Sequence, residues 1–268
     1  SARLSGYSEE RGSGLVRADS AASGAAESLT LVTRPSTDAP GWRLQAWARQ
    51  SDMSNSFVSV APDRLTTTPA SLQYANPASG WGANAALRWS HAEIGADVRA
   101  ANGETRELFR FIGADYTRSR IAGGNTLSAG AYAEAWRDFG ATLVSGGVRL
   151  DWWSAFGGRR IERDLATNAP VLDLHPDDTS AWAPTARIGV KQHLGHDLFF
   201  RAAAYNGFRP PTLNELHRPF RVGNDVTEAN PDLNPERLYG MDASIGSEGA
   251  IHWSAGVFAV RLFDPITN

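Results

Sequence analysis

The stretch Leu127-Ser-Ala-Gly-Ala-Tyr-Ala-Glu-Ala-Trp136 places an apolar residue at every odd position and mostly polar or aromatic residues between them. Because successive side chains of a β-strand point to opposite faces, this period of two predicts a strand with one apolar and one mostly polar face. The segment from Val144 to Trp152 repeats the pattern after a short polar link. Together the two segments predict an antiparallel hairpin.

The same alternation recurs along the chain and predicts about eleven strands, most of them close to the roughly 9–11 residues that a tilted strand needs to cross a bilayer. The further strands are predicted near residues 2–8, 28–34, 42–49, 83–90, 93–99, 182–191, 198–205, 239–245 and 251–257. Short links alternate with five long connections, at residues 9–27, 51–82, 101–125, 153–181 and 208–236. Soluble domains rarely carry such long loops at every second connection. Transmembrane barrels do, with short periplasmic turns and long extracellular loops.

Composition agrees with an all-β membrane protein. The 268 residues are 42% hydrophobic and carry 26 Lys and Arg against 29 Asp and Glu. The chain therefore lacks the excess of positive charge that is typical of nucleic-acid-binding proteins. Cysteine is absent, which excludes thiolate metal sites and cysteine nucleophiles. The mean hydropathy of −0.33 is low, but only every second residue of a barrel strand meets lipid. We therefore predict an antiparallel transmembrane β-barrel.

Two other classes of protein share parts of this pattern. A soluble β-sandwich or propeller that binds carbohydrate or protein would bury its apolar faces, including Trp42, Leu87, Val148 and Phe200, in a core. A passive outer-membrane porin would share the strands, the turns and the loops. The regular alternation of short and long connections disfavours the soluble alternative.

No arrangement typical of an enzyme is present, and we predict no catalytic residue, no cofactor and no metal site. The sequence lacks G-x-S-x-G, G-x-G-x-x-G, P-loop and H-E-x-x-H motifs. His193 and His196 have the spacing of a metal pair, but a polar turn beside Gly195 explains them better. Asp177 and Asp178 could act as paired carboxylates, but they lie in a long polar connection next to Pro176 and are better explained as solvated.

One segment resembles a known family. The stretch Tyr205-Asn-Gly-Phe-Arg-Pro-Pro-Thr-Leu-Asn-Glu-Leu216, followed by Ala229-Asn-Pro-Asp-Leu-Asn-Pro-Glu-Arg237, is similar to TonB-dependent receptors. In that family a barrel strand ends in an aromatic-rich segment of the first kind, and a loop of the second kind leads into the next strand. Both halves occur here in the family's order.

The resemblance implies a receptor of the cell outer membrane, surrounded by outer-membrane lipid, with a 22-stranded barrel closed by an N-terminal plug. It also implies a small-molecule ligand such as an iron-siderophore or cobalamin, imported with energy from the TonB complex through that plug. About eleven strands would be half of such a barrel. Residues 1–268 are therefore expected to be a partial barrel segment, with no plug domain visible and the C-terminal end of the barrel missing.

The arginines of the fifth long connection are the candidate ligand-binding residues. Arg209, Arg218 and Arg221 could face an anionic iron chelate. The connection also holds several prolines and five carboxylates, which favours an architectural role over ligand contact. The charges predicted on the polar strand faces are expected to pair with one another across neighbouring strands; they are Arg43, Arg88, Asp97, Arg99, Glu134, Arg149, Asp151, Arg187, Lys191 and Arg201.

Overall fold

The computed structural model describes residues 1–36, 39–222 and 225–267, without the side chains of residues 221, 222, 225 and 226. The described chain is almost entirely β-strand. The strands are β1 (Ala2–Gly12), β2 (Asp19–Val32), β3 (Gly41–Val60), β4 (Thr67–Ala75), β5 (Ala78–Arg88), β6 (Ala92–Ile112), β7 (Asp115–Asp138), β8 (Thr142–Asp164), β9 (Pro170–Leu174), β10 (Thr179–Gly195), β11 (Leu198–Arg209), β12 (Phe220–Val222), β13 (Asp225–Thr227), β14 (Glu236–Ser247) and β15 (Trp253–Phe263). A single short helix, α1 (Leu213–His217), lies between β11 and β12.

Thirteen strands form one antiparallel sheet in which chain neighbours are sheet neighbours. Its order is β1-β2-β3-β4-β6-β7-β8-β10-β11-β14-β15, with β5 pairing β3 and β6, and β9 pairing β8. Since β4 and β5 share the space between β3 and β6, and β9 and β10 both pair with β8, the sheet has eleven columns. These columns correspond to the eleven strands predicted from the alternation. The strands β12 and β13 form a separate small hairpin.

The long connections differ in kind from irregular loops, because the strands continue into them. β6 and β7 pair from Ala92↔Ala135 as far as Ile112↔Asp115, so most of the connection predicted at residues 101–125 is hairpin. β3 likewise extends to Val60. Extending a hairpin pairs the backbone N–H and C=O groups of a long connection with one another, which an irregular loop cannot do.

The two faces of the sheet differ in chemistry as the alternation predicts. Ala202 lies opposite Val190 and Ala243, so the apolar positions of β10, β11 and β14 form continuous rows on one face, here called the apolar face. Trp42, Leu87, Val148 and Phe200 lie on this face and are between 37% and 62% exposed. A soluble domain would bury them in a core. The exposure of the apolar face therefore contradicts the soluble alternative.

The polar face carries an extensive set of ion pairs within strands and between strands. Arg149 of β8 contacts Asp97 of β6 at 2.6 Å and Asp151 at 2.5 Å. All ten charges predicted to pair do so: the other pairs are Arg43–Glu93, Arg88–Glu93, Arg99–Asp97, Arg187–Glu134, Lys191–Glu248 and Arg201–Glu248. The prediction that these charges form ion pairs is confirmed, but only six of the ten pair with one another, and most pairs join residues of one strand or of strands two columns apart. The sequence could not name Glu248 as a partner, because it lies in the turn between β14 and β15.

The sheet is open within the described chain, since β1 and β15 occupy its two ends and do not pair with each other. Its few buried apolar residues include Trp153 and Leu216, which belong to a small cluster beneath α1. No helix of the described residues is long and apolar enough to cross a membrane.

The facing of β11 can be tested by substituting two adjacent alanines. Ala202 is on the apolar face and Ala203, opposite Gly189 and Asp242, is on the polar face. In the complete protein in lipid vesicles, Ala202→Arg is expected to lower the free energy of unfolding by about 2–4 kcal/mol if it lies near the bilayer midplane, and Ala203→Arg by much less. Equal losses in a denaturant titration would show that the faces are assigned incorrectly.

Candidate functional site

The segment between β11 and β14 folds back onto the polar face as a short helix with defined ends. Pro210 and Pro211 hold the chain extended before the helix, and Thr212 caps it. The Glu215 N–H donates to Thr212 Oγ1 at 3.3 Å, and the Thr212 N–H donates to Glu215 Oε2 at 2.7 Å. This capping box satisfies two backbone donors that a helix start leaves free. Pro219 then prevents the helix from continuing beyond Arg218.

Arg209 connects three parts of the chain. Its Nε donates to Glu236 Oε2 at 2.5 Å, across the β11–β14 pair, and its Nη1 donates to both carboxylate oxygens of Glu215 at 3.1 Å. The other oxygen of Glu236 accepts the Ile266 N–H at 2.6 Å. One guanidinium therefore holds the end of β11, the start of β14 and helix α1 together.

The charge of Glu215 is stabilised by these contacts. Burial by itself would raise the pKa of its carboxyl, but hydrogen bonds from Thr212 and from Arg209 outweigh that effect and hold the pKa below its usual value. Because the folded-state pKa is lowered, the contribution of Glu215 to stability is present above the unfolded-state pKa. It is lost as pH falls through the folded-state pKa.

Three glycines of neighbouring strands make room for α1 on the polar face, and we call them the glycine floor: Gly103 of β6, Gly124 of β7 and Gly158 of β8. Gly103 and Gly124 are directly paired. A Cβ at Gly103 would lie 3.4 Å from Leu213 Cδ1, and a Cβ at Gly124 would lie 3.1 Å from His217 Nε2. A Cβ at Gly158 would overlap the His217 ring. The fit is tightest at Gly158, where only glycine leaves space for the His217 ring.

Leu216 and His217 anchor α1 to this floor. Leu216 is 1% exposed and packs against Trp153 and Ala155, with Leu233 at the edge of the cluster. His217 is 6% exposed, and neither of its ring nitrogens has a hydrogen-bond partner among the described residues. Burial lowers the pKa of His217. The ring is therefore held in its neutral form by an environment that offers a cation no acceptor.

A chain of ion pairs borders the helix on the same face. Arg120 contacts Glu107 at 2.6 Å and Glu162 at 2.8 Å. Glu162 also contacts Arg160 at 3.0 Å, and Arg160 reaches Glu228 at 2.7 Å. Arg218 Nη2 lies 3.8 Å from Glu107. Three arginines face three glutamates, so this part of the wall has almost no net charge.

A cavity of about 460 Å³ opens between α1, residues 227–233 and residues 265–267. Its walls carry both polar and apolar groups, as is typical of small-molecule sites. The polar lining residues are Thr212, Asn214, Glu215, Arg218, Thr227, Glu228, Asn230 and Thr267. Because the segment that joins β11 to β14 forms most of its wall, the cavity lies at the end of the sheet that carries the long connections.

The structure separates the three predicted ligand-binding arginines. Arg218 lines the cavity, and its Nε has no hydrogen-bond partner among the described residues. Arg209 lies at the base of the site, where its ion pairs serve the architecture. The backbone of Arg221 belongs to β12, but its side chain lies outside the described residues. Their roles as ligand contacts stay predictions.

Sequence reasoning missed the glycine floor and His217. Each of the three glycines lies at a position that points to the polar face in three successive strands, which is a signal that the sequence does contain. Recognising that these glycines lie side by side requires the strand register, which the alternation pattern alone does not give. The two other candidate sites show no sign of a functional role: His193, near the end of β10, and His196, in the β10–β11 turn, are both exposed. Asp178 accepts the Gly157 N–H at 2.9 Å. No group of three potential metal ligands occurs among the described residues.

Comparison with known proteins identifies the fold. Residues 4–268 match the family described as TonB dependent receptor-like, beta-barrel. The sequence matches no curated protein. The structure is similar to the copper transporter OprC, with a TM-score of 0.72 at 17% identity, covering 97% of this chain and 42% of OprC.

Two iron receptors have a similar fold. The ferric yersiniabactin uptake receptor FyuA from Yersinia pestis gives a TM-score of 0.67 at 13% identity, with 91% of this chain and 36% of FyuA covered. The ferric-catecholate import receptor Fiu from E. coli K12 gives 0.62 at 11% identity, with 93% and 42% covered. At these identities the likeness shows the fold alone. The chain spans 36 to 42% of the length of these three proteins.

The docking of α1 can be tested at the glycine floor. Gly158→Ala is expected to lift α1 from the polar face, because the new methyl group would overlap the His217 ring, and overpacking of this kind costs about 1–3 kcal/mol. In the complete protein, hydrogen exchange of residues 213–217 should become faster while the exchange of β7 and β8 stays slow.

Gly207→Ala is the matched control, since a Cβ there would have open space around it. The double variant Gly158→Ala with His217→Ala should restore slow exchange in α1, because removing the ring makes room for the methyl group. Unchanged exchange in Gly158→Ala would show that α1 does not rest on this floor.

Proposed function

Because the chain belongs to the β-barrel family of TonB-dependent receptors, we propose that the complete receptor binds a scarce ligand at the cell surface and imports it with energy from TonB. The family places the chain in the outer membrane, among transporters and not among enzymes. In this setting the apolar face meets lipid, the polar face lines the lumen, and the end of the sheet with the long connections is extracellular.

The observation that carries the proposal is the cavity beside α1. A passive channel needs an open lumen, whereas here a helix is anchored to the lumenal wall at its extracellular end. The cavity has mixed polar and apolar walls and includes Arg218, a cation whose Nη2 lies 3.8 Å from Glu107. Such a site suits selective binding of one ligand better than unselective diffusion.

An iron chelate is the ligand class that we propose first, with cobalamin as the alternative within the same mechanism. FyuA and Fiu are named as receptors for ferric yersiniabactin and ferric catecholates, and OprC as a copper transporter. Siderophore complexes are often anionic, and an arginine with free donors would bind their oxygen atoms through charge-assisted hydrogen bonds. Arg218 is the arginine of the cavity wall, and its contact with Glu107 is the longest in the neighbouring set of ion pairs, at 3.8 Å, so it is the group that would select an anion.

Energy dependence is the test of import. Cells that carry the complete gene are expected to take up iron chelates or cobalamin only when TonB is functional, because a plug must move before the ligand can pass. In a TonB-deficient strain, surface binding should persist while uptake is lost. Unchanged uptake without TonB, together with general permeability to small sugars, would instead identify a porin.

Two arginine variants separate ligand contact from architecture. Arg218→Ala is expected to weaken ligand binding about tenfold or more, the effect of losing one charge-assisted hydrogen bond, with normal assembly of the barrel. Arg209→Ala should reduce assembly, because Glu215 and Glu236 would lose their common partner. Assembly is measured by the heat-modifiable mobility of the folded barrel in SDS gels. Binding is measured by titration of whole cells with labelled chelate.

Arg163→Ala is the control, since this exposed arginine lies on β8 and does not line the cavity. Equal loss of binding in Arg218→Ala and Arg163→Ala would mean that arginines at the cell surface act through general charge. Normal binding in Arg218→Ala would show that the cavity does not bind the ligand through Arg218. TonB-dependent import would still be tested by the uptake experiment.

A further inference from the structure

The lipid-facing surface of β10, β11, β14 and β15 has an uneven distribution of charge. Its outward positions are residues 180–192 of even number, 198–208 of even number, 237–247 of odd number and 253–263 of odd number, as the strand registers require. These positions hold no carboxylate. They hold two cations, Arg237 and Arg261, and both lie at the extracellular end.

The two arginines are close neighbours with no counter-charge. Arg237 lies opposite Phe263, and Tyr239 lies opposite Arg261, so the arginines are diagonal neighbours across β14 and β15. Side chains in this relation are separated by about 7–8 Å. Neither forms an ion pair with a carboxylate of the described residues. Two cations this close on a face without carboxylates create a positive local potential that attracts an anion.

Aromatic rings frame the pair. Tyr239 and Phe263 form an edge-to-face contact with centroids 5.6 Å apart, and the Arg261 guanidinium lies 4.7 Å from the Phe263 ring. Phe208 is directly opposite Arg237 on the other side of β14. Aromatic residues in this position are typical of the membrane–water interface. The arginines therefore lie at the level of the lipid headgroups of the outer leaflet.

Below the arginines, a groove runs along the same face towards the periplasmic end. Its floor is formed by small residues such as Ala202, Ala204 and Ala259, and its sides by Ile188, Met241 and Val257. It consists of two adjoining depressions of about 620 Å³ and 770 Å³, and the upper one reaches Arg261. From the row of Ala202 to the row of Asn206 the groove spans about 13 Å, at about 3.3 Å per residue.

We propose that this surface, Arg237 and Arg261 above the alanine groove, binds one phosphate-bearing lipid of the outer leaflet. The guanidinium groups would bind the headgroup phosphate, for which arginine is well suited because its planar donors match the phosphate oxygens. An acyl chain of the same molecule lies in the groove. The groove contributes through close van der Waals contacts with the acyl chain, because transfer from one apolar environment to another supplies no hydrophobic driving force. The charge selects the lipid and the groove fixes its position.

The site is separate from the proposed import mechanism, because it lies on the opposite face of the sheet from α1 and its cavity. Loss of lipid binding would leave ligand recognition at Arg218 unaffected. Failure of the TonB-dependent uptake test would likewise leave the lipid site untouched.

Lipid titration of the complete, delipidated receptor in detergent tests the proposal. Native mass spectrometry gives the dissociation constant of the first adduct for dioleoylphosphatidylglycerol and for dioleoylphosphatidylcholine. The receptor is expected to prefer the anionic lipid, and Arg237→Gln and Arg261→Gln should each weaken its binding about fivefold, as expected for one basic residue at a lipid surface. Binding of phosphatidylcholine should hardly change.

Arg137→Gln is the matched control for charge. Arg137 is an exposed, outward-facing arginine at the periplasmic end of β7, opposite Val144, and it has no ion pair among the described residues. The Arg137→Gln variant should leave the dissociation constant of the first phosphatidylglycerol adduct unchanged. Retention of the preference for phosphatidylglycerol in the Arg237→Gln, Arg261→Gln double variant, or an equal loss in Arg137→Gln, would overturn the proposal.

Ala204→Leu tests the groove without changing charge. A larger side chain on its floor should weaken binding of phosphatidylglycerol several-fold, whereas Ala85→Leu, on the outward face of β5, should not. Glycerol phosphate, which lacks acyl chains, should compete only weakly. Full competition by glycerol phosphate, or normal lipid binding in Ala204→Leu, would show that the groove takes no part and that the surface is not a lipid site.

Discussion

Backbone hydrogen bonding within the sheet is the constraint from which the rest of this structure follows. A bilayer offers no water to unpaired N–H and C=O groups, so each strand must bond to its neighbours on both sides. Between β1 and β15 the sheet meets this requirement by joining successive strands in antiparallel order, and these two end strands each keep one unpaired edge within the described chain. Once each strand is fixed in this way, its side chains can point only to lipid or to the lumen. The alternating apolar and polar positions of the sequence then face lipid and the lumen, respectively.

The lumenal face shows how a strongly charged wall can remain nearly neutral. Arginines pair directly with carboxylates of their own strand or of nearby strands, as Arg149 does with Asp151 and Asp97. The same arrangement continues upward to Arg120, which lies between Glu107 and Glu162. Such pairing removes the large single-sign potential that would attract any ion of the opposite charge. Selectivity can then depend on a few charged groups in the cavity wall, of which Arg218 is the clearest.

Helix α1 combines local and distant determinants. Its start is set by the capping box of Thr212 and Glu215, which four consecutive residues specify. Its position is set by Gly103, Gly124 and Gly158, which are far apart in the chain and meet only in the sheet. On the other side of the same wall, the outward arginines of β14 and β15 also meet only through strand pairing. In both places the role of a residue depends on a neighbour that lies on another strand.

The sequence by itself determined the fold class, the eleven columns, the facing of each strand and the existence of ion pairs on the polar face. These properties follow from the alternation of residues along single strands, where neighbouring side chains are fixed by local backbone geometry. The motif from Tyr205 to Arg237 also determined the family. Only the tertiary structure decided which carboxylate each arginine meets, that the long connections continue as hairpins, and that His217 rests on the glycine floor. The strand register and the position of α1 on the polar face bring together residues that are distant in sequence. The local alternation of residues does not specify which distant residues will meet.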